Sequence, residues 1–151
     1  LVMFEGELVQ IGTPQELFEN PKRKFVGFFI GSPGMNFLAC TVDGNTARVD
    51  GAGILLDDDT AALAQKAQGK MDIGIRPMHL EVHAESVNGG IPATVKSGQD
   101  QGSFKILTVN MAGHTLRSRL PEGQAVPSND AWLRFLPQWT KLFADGRLVS
   151  K

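Results

Sequence analysis

Three ionisable side chains alternate along His79-Leu80-Glu81-Val82-His83, and two imidazoles with a carboxylate are a permissible ligand set for zinc or nickel. In an extended segment Leu80 and Val82 would share one face and the ionisable residues the other. Side chains two apart on a strand stand about 7 Å apart, an awkward span for chelation, so the plainer reading is a half-buried strand with a polar face. Asp57-Asp58-Asp59 lacks the alternating ligands, glycine and distal glutamate of a calcium loop; a helix N-terminus that favours negative charge accounts for it better. Gly69-Lys70 is followed by Met71 rather than by serine or threonine, so it is not the phosphate-cradling loop Gly-x-x-x-x-Gly-Lys-Ser/Thr, which the sequence lacks. Lys22-Arg23-Lys24 could meet lipid or phosphate, but three charges beside Pro21 read more simply as a solvated helix start. Cys40, the single cysteine, is expected buried and inert in an apolar strand. No catalytic, cofactor-binding or metal-ligating residue is assigned.

The composition narrows the class. The chain has 151 residues, 42% hydrophobic and 21% charged, with a formal net charge of -1. A globule of this size buries roughly 70% of its extended surface, and no apolar run approaches the ~20 residues that span a bilayer. Near-neutral charge offers no footprint for a nucleic-acid backbone. One cysteine excludes an intrachain disulfide and fits a reducing cytoplasm. Seventeen glycines and eight prolines among short β-branched and aromatic runs predict many turns and strands.

The elements that must position these residues follow from local signals. Residues 2–4 and 7–11 read as a hairpin about Glu5-Gly6. Thr13, Pro14 and Glu16 form a capping box with proline at the first helical position, and Pro21 ends that short helix. Phe25, Phe28 and Phe29 recur at helical spacing, with Gly31 at a left-handed C-cap. From residue 37 the pattern becomes extended: 37–42 and 46–49 about an Asp43-Gly44-Asn45 turn, a helix over 57–68 capped by Asp59 or Thr60 and ended by Gly69, then strands at 71–75, 78–83, 91–96, 103–111, 114–120, 131–136, 141–143 and 147–149. Leu116 and Leu120 should point inward, Arg117 and Arg119 outward. Short strands at regular spacing predict a mainly β barrel.

Specific runs carry a resemblance. Gln10-Ile11-Gly12-Thr13-Pro14-Gln15-Glu16-Leu17, Lys24-Phe25-Val26-Gly27-Phe28-Phe29-Ile30-Gly31, Gly31-Ser32-Pro33-Gly34-Met35-Asn36-Phe37-Leu38 and Gly74-Ile75-Arg76-Pro77 together resemble the junction between the nucleotide-binding domain and the C-terminal regulatory domain of carbohydrate-importer ABC ATPases, the family of the maltose and glycerol-phosphate transport ATPases. The likeness is dense to Leu38, clear over 73–80 and loose from Val95. Where the family usually has an acid before its histidine, Met78 precedes His79; Gln101, Gly102 and Ser103 replace a Leu-Gly and acidic pair, and Gln138 replaces an acid beside Pro137.

The resemblance implies an OB-like (TOBE) barrel over 32–151, preceded by a 1–31 tail of the nucleotide-binding domain. It also implies that the sequence is a piece of a longer protein, in keeping with a start at Leu1 inside an apolar run. Gly31, Ser32, Pro33, Met35, Asn36, Gly74, Arg76, Pro77 and His79 become candidates for motif or interface roles. Arg76 could bridge loops or engage a carboxylate across an interface; the plain alternative is an arginine that buttresses its own domain. The family's ATP-binding elements precede the matching segment. The chain alone is therefore expected neither to bind nor to hydrolyse ATP, while ATP and Mg are expected for the parent.

Implied partners are a second copy, transmembrane permease subunits contacted through other parts of the parent, and a regulatory protein or metabolite. The implied location is the inner face of the cell membrane, held peripherally. The phenylalanine cluster could face the nucleotide-binding domain. Two other functions remain open: a small-ligand barrel with an oxyanion or sugar near Arg76 or Arg117, and an OB-type single-strand nucleic-acid binder. The latter is disfavoured by the neutral charge and the absence of tyrosine.

Overall fold

The computed structural model describes residues 2–31 and 33–149. Strands β1 (Val2–Phe4) and β2 (Glu7–Gln10) form the expected hairpin, with Glu5 and Gly6 both at positive φ. Helix α1 (Pro14–Glu19) opens on a complete capping box: Thr13 Oγ1 accepts the Glu16 N–H at 3.1 Å, and the Glu16 carboxylate accepts the Thr13 N–H at 3.0 Å. Helix α2 (Lys24–Phe29) has no side-chain cap at Arg23. Its first turn is held from a distance instead, since the Lys24 N–H donates to the Gly146 carbonyl at 3.0 Å and the Leu148 N–H donates to the Lys22 carbonyl at 2.8 Å. The last hairpin of the chain thus supplies what the local sequence lacks.

Strands β3 (Asn36–Asp43), β4 (Thr46–Val49) and β5 (Ala52–Leu55) form a meander. Helix α3 (Asp58–Ala64) then leads into β6 (Met71–Ile75), which returns antiparallel to the first half of β3. After β7 (Leu80–His83) come β8 (Ile91–Asp100), β9 (Phe104–Met111), β10 (His114–Pro121) and β11 (Asp130–Phe135). Strands β12 (Lys141–Ala144) and β13 (Arg147–Leu148) rejoin β6, giving sheet orders β10-β9-β8-β11-β7 and β13-β12-β6-β3-β4-β5. The edges of the five-stranded sheet nearly meet: buried Ser118 on β10 donates its hydroxyl to the Leu80 carbonyl at the start of β7, at 2.6 Å. The two sheets share one apolar core, with Leu38, Ile54, Leu56, Ile73 and Ile75 facing Leu107, Val109, Met111, Leu116 and Leu133. The mainly β, barrel-like expectation holds, and Leu116 and Leu120 point inward while Arg117 and Arg119 are exposed.

Three local expectations are corrected. Strand β5 has no counterpart in the sequence reading; its four residues include Gly53, and it exists because it pairs along its whole length with β4. Helix α3 is shorter than 57–68 and its cap is Asp57, whose Oδ1 accepts the Thr60 N–H at 2.7 Å, so Thr60 offers its amide rather than its hydroxyl. Pro77–His79 is a 3-10 turn rather than the start of a strand, because the His79 N–H closes back on the Arg76 carbonyl at 2.9 Å.

Candidate functional site

The residues singled out by the sequence gather where the two short helices meet the barrel. Gly31 has φ of +110°, which turns the chain sharply out of α2. Ser32 lies outside the described residues. Gly34 passes directly over α2: a Cβ there would stand 2.2 Å from the Phe28 carbonyl oxygen. The next residue seals the contact, its Met35 N–H donating to the Gly27 carbonyl at 3.0 Å. The Met35 side chain is buried between two bare backbones, its sulfur 3.2 Å from where a Gly27 Cβ would lie and 2.7 Å from where a Gly74 Cβ would lie. The Phe37 and Phe143 rings, edge to face at 5.3 Å, fill the rest of the space over Gly74. Gly74 is therefore required by packing, not by its dihedral angles.

Arg76 is the centre of this joint. It is 3% exposed, and its fork donates Nε–H to the Phe18 carbonyl at 3.2 Å, Nη2–H to the same oxygen at 2.9 Å, and Nη1–H to the Gly27 carbonyl at 2.8 Å and to that of Ile30. Phe18 lies in the last turn of α1, and Gly27 and Ile30 at the end of α2, so one cation caps the negative ends of two helices. The Phe18 ring lies 4.2 Å from the guanidinium carbon. Burial lowers the Arg76 pKa to about 10, which leaves it charged at neutral pH. Four of its five N–H groups are engaged within the chain, and none of these bonds reaches a carboxylate.

Asn36 acts on the other side of the joint. Its carboxamide behaves as an extra peptide unit: Nδ2 donates to the Arg117 carbonyl at 2.9 Å, Oδ1 accepts the Arg117 N–H at 2.9 Å, and Nδ2 also reaches the Ile75 carbonyl at 3.2 Å. This latch ties β3 and β6 to the edge strand β10. Pro77 starts the turn that carries His79, whose ring stacks on Trp139 at 4.3 Å and 7°. Burial, then the charges of Arg76 and Lys141, lower the His79 pKa.

The remaining candidates disperse. His79 stands apart from Glu81 and His83, which pair with each other at 3.2 Å while Arg134 donates to Glu81 at 3.2 Å. No group of three potential metal ligands forms among the described residues. Lys24 pairs with the buried Asp72 at 3.2 Å, so the basic run is partly built into the fold. Cys40 is half-buried rather than buried; desolvation, and next Asp72, raise its thiol to about 11, so it stays protonated. Sequence reasoning missed Phe18, Gly27, Gly34 and Trp139 as parts of the joint. Only Gly27 carried a usable signal, as a glycine inside a helix that needs a packing reason to be there.

The family model described as "MalK OB fold domain" matches residues 31–80, a stretch that runs from the turn after α2 through the joint to the start of β7. The chain is 34% identical over 147 residues to the sn-glycerol-3-phosphate import ATP-binding protein UgpC of Salmonella typhi, covering 97% of this chain and 41% of that protein. The protein of the same name from Bordetella pertussis is 39% identical over 102 residues, 67% of this chain and 28% of its own length. That from Escherichia coli O1:K1 / APEC is 37% identical over 142 residues, 82% and 39% of the two chains. The chain thus spans about two fifths of the first of these relatives. With the near-closed barrel, these likenesses mean that the chain belongs to the family of the MalK-type OB fold that ABC importer ATP-binding proteins carry.

Proposed function

We propose that the chain is the non-catalytic C-terminal part of an ABC importer ATP-binding subunit that energises uptake of glycerol 3-phosphate or a related sugar or polyol. In this reading residues 1–31 are the tail of the nucleotide-binding domain and residues 32–151 its regulatory barrel. ATP and Mg bind the remainder of the parent, which docks on permease subunits at the inner face of the membrane. Two copies pair and remain joined while the nucleotide sites open and close. An effector that favours one state shifts the cycle by its difference in affinity for the two.

The observation that carries the reading is the likeness to import ATP-binding proteins along 97% of the chain. The distribution of exposed apolar side chains supports it. Of the six large apolar side chains more than half exposed among the described residues, Met3, Leu8, Ile11, Phe28 and Phe29 lie in the first thirty residues, where a preceding domain would cover them, and only Leu55 lies in the barrel. The Arg76 joint would then transmit force from that domain to the barrel, since it grips both helices by their carbonyls.

The test is a chimera in which this chain replaces the matching part of the Salmonella typhi relative, in cells lacking their own subunit. Restored ATP-dependent glycerol 3-phosphate uptake is expected. A well-expressed chimera that binds ATP but supports no uptake of glycerol 3-phosphate, sugars or polyols would overturn the reading. Light scattering of the chain across concentration tests the pairing: a dimer indifferent to Phe28→Ser is expected, whereas a monomer, or a dimer lost only with Phe28→Ser, assigns pairing to other parts of the parent.

A further inference from the structure

A shallow groove of about 530 Å³ lies over the outer face of β8, β9 and β10, with Pro33 of the linker along one side. Its volume falls in the range of small-molecule sites, roughly 300 to 1,000 Å³. The strand register aligns three donors across it. Ser97 on β8 lies opposite Thr108 on β9, which lies opposite Arg117 on β10. Neighbouring strands are about 4.8 Å apart, so two hydroxyls and a guanidinium stand in one row.

A register shift between Val95 and Ser97 makes this row possible: without it Lys96 would face Thr108, whereas the bulge brings the short Ser97 there instead. Gln99 and Gln101 add carboxamides at one end, and Ile106 and Phe104 form an apolar floor.

The charge in this groove is unbalanced. Among the described residues no aspartate or glutamate lines it, and the nearby Asp100 already accepts the Gly102 N–H at 2.8 Å. The backbone of Arg117 is held on both sides by the Asn36 latch, yet its exposed guanidinium has no hydrogen bond or ion pair among the described residues. Arg119, two residues on along the same face, stacks its guanidinium on Phe104 at 3.9 Å. A fork of fixed origin beside two hydroxyls, amide groups and a small apolar floor matches an anion on a short hydroxylated carbon skeleton.

We propose that this groove binds a small hydroxylated oxyanion. Its phosphoryl or carboxylate group is held by Arg117 and Thr108, and its hydroxyls reach Ser97, Gln99 and Gln101. The site stands on the barrel's own geometry, so failure of the importer reading leaves it untouched.

The experiment is an amide NMR titration of this chain with glycerol 3-phosphate, glycerate, inorganic phosphate and glycerol. Saturable shifts at Ser97, Thr108 and Arg117 are expected with glycerol 3-phosphate or glycerate, the tighter of the two naming the preferred oxyanion, and none with glycerol. Arg117→Gln should weaken binding by about tenfold or more and Thr108→Val by severalfold. Arg48→Gln, at an exposed arginine 3.9 Å from Asp43, should change nothing. Because the latch uses only the Arg117 backbone, the Arg117→Gln spectrum should otherwise match the parent and so report folding. No saturable shift with either organic anion, binding that survives Arg117→Gln, or inorganic phosphate binding as tightly as both organic anions would each overturn the proposal.

Discussion

The barrel and the helical segment before it are held together by different forces. In the barrel, Leu107, Val109, Leu133 and Leu142 are completely buried against one another, and strands from both sheets close on a single core. In the first thirty residues the large side chains of Phe28, Phe29 and Ile11 are mostly exposed, and much of what fixes the two helices is polar: Arg76 on their carbonyls, Met35 N–H on Gly27, and the last hairpin on Lys22 and Lys24. Burial of apolar area is nondirectional and tolerates small shifts, whereas buried hydrogen bonds are costly when broken. The barrel should therefore lose stability gradually with core truncation, while the helical segment should depend sharply on a few donors.

The largest effect expected on that contrast comes from Arg76→Ala. It takes their donor from the Phe18 and Ile30 carbonyls, while that of Gly27 keeps the Met35 N–H, at about 1–3 kcal/mol for each buried group left unsatisfied. Hydrogen exchange should show protection lost across residues 14–30 with β8 to β11 intact; loss spread evenly over both regions would break the comparison. Leu133→Ala, in the barrel core, should cost roughly 2–5 kcal/mol in denaturant unfolding and lower protection in both sheets together. Asn36→Ala should cost about 1–2 kcal/mol, with exchange rising at Arg117 and little change in the helices. Phe28→Ser should leave the stability of the chain within about 0.5 kcal/mol, since its ring already meets solvent.

The smallest effect concerns pH. His79 has a folded pKa below its usual 6.5, so the unfolded chain takes up a proton first as pH falls. Stability should be unaffected above the unfolded value, decline as pH drops below about 6.5, and level off below the folded pKa. His79→Gln should flatten this slope, and an unchanged slope would mean that burial and the charges of Arg76 and Lys141 do not hold the ring neutral.

Much of the fold was legible because it follows from local periodicity and turn chemistry. Alternation along His114–Pro121 assigned Leu116 and Leu120 to the core and Arg117 and Arg119 to solvent, and the capping box at Thr13 and Glu16 announced α1. Strand β5 was not legible, because Ala52, Gly53, Ile54 and Leu55 form a strand only against β4. The polar face of His79, Glu81 and His83 failed for a related reason: Pro77 begins a 3-10 turn, which swings His79 onto Trp139 and out of register with the strand.

The sequence by itself singled out Gly31, Met35, Asn36, Gly74, Arg76 and Pro77 by their motif, and left out Phe18, Gly27, Gly34 and Trp139. Only the tertiary structure decided what they do. The partners of Arg76 lie 46 to 58 residues earlier in the chain, and those of Asn36 lie 39 and 81 residues later. A side chain's local spacing reports the face it occupies. It carries no record of which distant carbonyl, ring or bare glycine the fold will bring against that face.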